Sequence, residues 1–186
     1  MADFVAALDG RIKSMAITHE LLSYRRWHGI PLAELVDREL APYATGSNTQ
    51  IEGPDVILSA DAGQAIAMVF HELATNAAKF GALSTARGRV CVRWSQKRNG
   101  HAHSLLSVHW EERGGPNVMP QTRSGYGTSV IRDLIPYELG GAVDLVHAPE
   151  GVRCRLEIPA HWLSSGKAPG ALSMDPGLRH HSTQRG

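Results

Sequence analysis

Residues 61–80 read DAGQAIAMVFHELATNAAKF, and GALS follows at 81–84. Ile66, Val69, Phe70, Leu73 and Ala77 recur at helical spacing, Asp61 stands near the start as a cap or first-turn acid, and Gly81 closes the run. This is the longest helix in the chain with a clear polar edge. Glu72, Asn76 and Lys79 follow one another at steps of four and three, so they project from one face. A carboxylate, an amide oxygen and an ammonium on one stripe suit a nucleotide bound with magnesium. The two oxygen groups are hard ligands or orient metal-bound water, and the lysine offers point charge to phosphate. A solvated polar face opposite the core would read the same way, because single Glu, Asn and Lys residues are common on helices.

Ahead of this helix, Phe4, Leu8, Ile12, Met15 and Leu22 mark an amphipathic helix over 4–22. Leu32, Leu35, Val36 and Leu40 mark a second one, which Pro42 ends. Ser47–Gln50 reads as a polar turn, Gly53 and Pro54 as another, and Val56–Leu58 as a short strand. Beyond the long helix, Val90, Val92 and Trp94 alternate with Cys91 and Arg93, Asn99–Gly100 is a strong turn signal, and a second alternating run spans Ser104–Trp110. Glu111–Gly127 is glycine-rich and too long for a plain turn. A helix over Thr128–Leu139, bent or interrupted by Pro136, precedes two last strands, Ala142–Val146 and Val152–Ile158. This order predicts an α+β two-layer sandwich, a mixed but mostly antiparallel sheet covered by helices.

Composition narrows the function classes. The 186 residues are 42% hydrophobic and 20% charged, as in one soluble domain or two small ones, and the net charge of +1 gives no global field for nucleic acid. The longest uninterrupted apolar run is Ala65–Phe70, far short of the roughly 20 residues a bilayer span needs. No basic region precedes an apolar run at the N-terminus, so the expected location is cytoplasmic. Cys91 and Cys154 are too few for a disulfide scaffold and read as small buried hydrophobes. No GxxxxGK segment is present.

Two further segments carry chemistry: WEERGGP at 110–116 and GYGTSVI at 125–131. Closely spaced glycines let backbone approach a ligand, and Thr128 at the mouth of a helix can offer hydroxyl and N–H groups to phosphate. Glu112, ahead of the first glycine pair, can accept a hydrogen bond from the exocyclic amine of a base. Glycine pairs are also common in ordinary turns.

Taken in this order, the three segments resemble the catalytic ATP-binding domain of bacterial sensor histidine kinases of the HWE subgroup, whose signature residues match His71, Trp110 and Glu112. The likeness extends to Leu139–Gly141 and to PEGVRCRLEIP at 149–159, and covers about residues 4–160. It implies the fold shared with gyrase-type ATPases, with ATP held between the long helix and the glycine loops. It implies that Asn76 coordinates magnesium, that Glu72 orders its water or assists transfer, and that His71 and Lys79 line the phosphate side. Glu112 would read adenine, while Gly114, Gly115, Gly125, Gly127 and Thr128 would shape the lid and phosphate contacts.

In such kinases a helical hairpin carries the phosphate-accepting histidine in an H-R-x-K-N type stretch, which these 186 residues do not contain. Residues 1–26 resemble only the second helix of that hairpin, and His19 matches a histidine that is not the usual acceptor. The expected organisation is therefore this helix, a catalytic domain over 27–160 and a disordered tail over 161–186. The resemblance implies a protein histidine kinase that transfers the γ-phosphoryl group of Mg-ATP to a histidine supplied outside the chain. Implied partners are an acceptor hairpin or full-length kinase, a response regulator, and a second copy through the N-terminal helix. The alternative is a non-catalytic signalling or phosphotransfer module that binds a response regulator.

Overall fold

The computed structural model describes residues 29–99, 103–116 and 126–164. The chain runs β1 (Ile30–Pro31), α1 (Leu32–Leu40), β2 (Thr49–Glu52), β3 (Ile57–Leu58), α2 (Ala60–Lys79), β4 (Arg89–Asn99), β5 (His103–Arg113), α3 (Tyr126–Leu139), β6 (Ala142–Ala148) and β7 (Gly151–Pro159). The expected helix over 4–22 with His19, the Asn99–Gly100 turn beyond Asn99, Gly125 and the chain from 165 onward lie outside the described residues.

Five strands form one sheet in the order β2-β4-β5-β7-β6. Every neighbouring pair is antiparallel except β2 with β4, which are parallel because α2 lies between them in the chain and supplies the crossover. Period-two alternation turns Val90, Val92 and Trp94 of β4, Leu106, Val108 and Trp110 of β5, and Cys154, Leu156 and Ile158 of β7 inward. They meet Ile66, Val69, Phe70, Leu73 and Ala77 of α2 in one core, where the Phe70 and Trp110 rings lie 6.1 Å apart. The opposite sheet face is polar and laced with exposed ion pairs, Arg93–Glu52 at 3.0 Å, Arg113–Glu111 at 2.8 Å and Arg155–Glu157 at 3.4 Å. Such pairs contribute little each. The two-layer α+β sandwich inferred from the sequence is the observed fold.

Several local expectations change. Ser47–Gln50 is not simply a turn: Thr49–Glu52 forms edge strand β2, in register with Val90–Arg93. The Val56–Leu58 run supplies β3, but β3 stands outside the main sheet and pairs with β1, Ile30 opposite Leu58. Ser59 caps α2 through its side-chain oxygen, which accepts from the Ala62 N–H at 3.3 Å, and Asp61 is the first-turn acid. Pro136 sits on the exposed side within a continuous α3. Cys154 is buried, and burial pushes its thiol up to about 12. Cys91 is only half-buried, because the inward positions of β4 are the even-numbered ones and residue 91 faces the other way.

The domain also continues past Pro159, through residues first assigned to the tail. Trp162 donates its indole N–H to Leu139 O at the end of α3 (2.9 Å), and its own carbonyl accepts from Ser59 N–H (2.8 Å). Leu163 then bridges Leu58, and Ser164 N–H reaches Ile57 O at 2.8 Å. One aromatic residue thus ties the end of α3 to the start of α2.

Candidate active site

The site is built around the second half of α2. Glu72 is buried, Asn76 half-buried and Lys79 exposed, so the stripe emerges from the protein along its length. Facing it is the first turn of α3. A Cβ on Gly127 would fall on Glu72 Oε2 and come within 4.0 Å of Asn76 Nδ2, so the bare glycine lets the α3 backbone lie against the Glu72 carboxylate. Thr128, next to it, is half-buried.

His71 precedes Glu72 by one residue and lies about 100° away around the helix. Its ring turns toward α1, where Nδ1 stands 3.1 Å from the carboxylate of buried Glu39. Thr75, four residues on, shares that side and pairs with the Tyr43 hydroxyl at 3.4 Å. His71 and the Glu72–Asn76–Lys79 stripe therefore occupy different sides of one helix.

The other half of the site is Glu112, at the end of the inward row of β5 and opposite Val90 of β4. Its carboxylate is buried and accepts two hydrogen bonds, from Ala82 N–H at 2.9 Å and from Trp110 Nε1–H at 3.1 Å. Burial pushes the Glu112 carboxyl above the usual carboxylate range. The Ala82 N–H and, to a smaller degree, the Trp110 N–H oppose that shift.

Glycines make this packing possible. A Cβ on Gly81 would collide with Glu112 Oε2 and sit 2.9 Å from Ala77 Cα, and one on Gly115 would be 2.8 Å from Ala82 N. Gly114 has φ +71°, and its carbonyl accepts from Thr85 Oγ1 at 2.9 Å. The WEERGGP segment is thereby stitched to the loop that leaves α2. Two sequence-separated segments converge on the C-terminal half of α2 and the loop that leaves it: Gly127 at Glu72 and Asn76, and Glu112 with Gly114 and Gly115 at Gly81–Thr85. Gly125 lies outside the described residues.

Sequence reading missed Glu39, which carries no motif signal and meets His71 from 32 residues away. It also gave Trp110 no physical role, although strand parity puts residues 110 and 112 on one face and so makes their contact legible.

The donor set can be tested against a nucleotide with magnesium. Among the described residues no three His, Cys, Asp or Glu side chains gather as a metal cage. One carboxylate and one carboxamide, Glu72 and Asn76, are the sparse oxygen set that magnesium uses when phosphates and water complete its shell. A backbone stripped of Cβ at Gly127 stands beside both. These residues fit the group.

Residues 1–55 match the family model described as HWE histidine kinase. The chain is 32% identical over 157 residues to a blue-light-activated histidine kinase of Rhizobium johnstonii, covering 84% of this chain and 44% of that protein. It is 30% identical over 145 residues to a blue-light-activated histidine kinase of Brucella anthropi, covering 76% of this chain and 29% of the relative. It thus spans less than half the length of either. Its fold is similar to the histidine kinase domain of the Erythrobacter litoralis EL346 blue-light activated histidine kinase, with a TM-score of 0.64 at 19% identity over 82% of this chain and 74% of that one. The mycobacterial sensor histidine kinase MprB matches with a TM-score of 0.50 at 20% identity, over 70% of this chain and 96% of that one. The chain belongs to the HWE histidine kinase family and carries the catalytic ATPase-domain fold of sensor histidine kinases.

Proposed function

We propose that this chain binds ATP with magnesium between α2 and the two glycine segments, and transfers the γ-phosphoryl group to a histidine outside these 186 residues. The observation that carries this reading is the convergence of Glu72, Asn76 and Gly127 on one side and Glu112, Gly81 and Gly115 on the other. A polar, oxygen-rich end and a buried carboxylate at the opposite end match a ligand with a phosphate tail and an amine-bearing base.

The division of labour follows from the side chains. Asn76 would offer its amide oxygen to magnesium, and Glu72 would order water at the metal or assist the transfer. Lys79, exposed in the last turn, adds positive charge on the phosphate side. Thr128 and the N–H groups of the first turn of α3 donate to phosphate oxygens. Glu112 accepts the hydrogen bond of the exocyclic amine. His71, held by Glu39, braces α2 against α1 directly beside Glu72. Magnesium, when bound, neutralises charge between the phosphates, and positioning plus neutralisation is most of what phosphoryl transfer asks of a protein. The acceptor hairpin, a response regulator and a second copy of the chain are the proposed partners. Among the described residues no helix is long and apolar enough to cross a membrane.

Calorimetric titration of ATP in the presence of magnesium tests the site. Asn76→Ala should remove most of the magnesium-dependent affinity while leaving the urea midpoint unchanged; full affinity in the variant would refute the assignment.

A further inference from the structure

The Trp110 ring is 2% exposed, and its packing against Phe70 needs no N–H group. A phenylalanine would keep an aromatic ring against Phe70 without that N–H. What the indole adds is a donor, and that donor is spent on Glu112 Oε1 at 3.1 Å. The second oxygen, Oε2, takes Ala82 N–H at 2.9 Å. With both oxygens anchored, the carboxylate plane cannot rotate. Each oxygen still has a second lone pair, since an ionised carboxylate can accept about four hydrogen bonds.

We propose that Trp110 is a specificity-determining positioning residue: by donating to Glu112 Oε1 it fixes the carboxylate as a pure acceptor, so that the site selects a 6-amino purine over a 6-oxo purine. This rests on the nucleotide reading above and goes beyond it by naming what orients the base-reading group. An ionised carboxylate has no proton to give. A 6-amino group donates to it, whereas a 6-oxo group sets acceptor against acceptor, a pairing that a buried site penalises. A carboxyl that rotates or holds a proton could instead donate to the 6-oxo group. Burial favours that proton, and the indole N–H is one of two donors that oppose it. Gly81 completes the device, because any side chain there would displace the carboxylate.

The test compares wild type with Trp110→Phe, titrated with ATP, GTP and purine riboside triphosphate, which lacks a 6-substituent. Loss of a buried bond to a charged acceptor should weaken ATP about tenfold and lower the ATP-to-GTP affinity ratio about tenfold. The amine-free analogue should bind both proteins alike. Equal weakening of ATP and the amine-free analogue, or an unchanged ATP-to-GTP ratio, would overturn the role of Trp110 while leaving nucleotide binding intact. Wild type that binds none of the three would overturn the nucleotide reading itself. If Trp110→Phe does not fold, the wild-type indole ¹⁵N–¹H resonance of Trp110 decides. It should shift on adding ATP and stay in place on adding the amine-free analogue, and equal shifts would contradict the proposal.

Discussion

Replacing Gly81 by alanine tests whether Glu112 is locked where the structure puts it. The added Cβ would collide with Glu112 Oε2 and lie 2.9 Å from Ala77 Cα. The helix backbone cannot give way, so the carboxylate must leave. That strands the Ala82 and Trp110 N–H donors in a buried place, at about 1 kcal/mol each, and with about 1 kcal/mol for the Ala77 contact the total is about 3 kcal/mol. With a urea slope of about 2 kcal/mol/M the unfolding midpoint should fall by about 1.5 M. The same change in a Glu112→Ala background finds the donors already stranded and the carboxylate gone. Only the Ala77 contact remains, at about 1 kcal/mol. The cycle should therefore show a coupling of about 2 kcal/mol between positions 81 and 112, read by circular dichroism in urea. Equal midpoint shifts in the two backgrounds would refute the argument that Gly81 exists to admit Glu112.

Two further perturbations address other parts of the site. Glu39→Ala should cost about 1–3 kcal/mol in urea, because His71 loses its buried acceptor, and Glu39→Gln should recover most of that loss; an unmoved midpoint in Glu39→Ala would show the contact to be incidental. The pH dependence of stability has a defined sign. Burial holds the His109 and His147 imidazoles below their usual value of 6.5, with Lys97 and Arg155 adding to the effect at His109 and Arg132 at His147. The unfolded chain then binds protons that the folded chain refuses. Stability from these groups is full above about 6.5 and is lost as pH falls through their depressed folded values. Glu112, raised in the fold, acts in the opposite sense: its contribution falls as pH rises from its usual value of 4.5 through the raised one. Replacing both histidines by glutamine should therefore flatten or reverse the rise in stability between about pH 5 and 7, measured by urea unfolding, and an unchanged slope would contradict the assignment.

The parts of this molecule legible in its sequence are those whose pattern is local. Helix α2 is legible in the apolar spacing from Ile66 to Ala77, and β4 and β5 in alternation on either side of an Asn-Gly pair. Edge strand β2 did not. Of its four residues only Ile51 is strongly apolar, and what holds it is backbone pairing to β4 and the exposed Arg93–Glu52 contact, neither of which leaves a local trace. The same holds for β1, two residues long, and for Trp162, whose partners Leu139 and Ser59 lie far away in the chain.

Within the site, motif reading found the right residues and helix spacing aligned Glu72 with Asn76, yet the sorting of roles needed three dimensions. His71 stands next to Glu72 in sequence but turns to Glu39 of α1. The carboxylate of Glu112 depends on Ala82, 30 residues earlier, for one of its hydrogen bonds. Contacts of that span follow from how the β4–β5 hairpin packs against the end of α2, which no local pattern encodes.

The central claim, that this chain is a working kinase domain rather than a binding module, is tested most directly by transfer in trans. The chain is incubated with magnesium, γ-labelled ATP and a separate helical hairpin bearing the H-R-x-K-N stretch. Acid-labile, base-stable label on the hairpin histidine, lost with Asn76→Ala, is the predicted result. ATP bound by the wild-type chain with no label reaching the hairpin would contradict it.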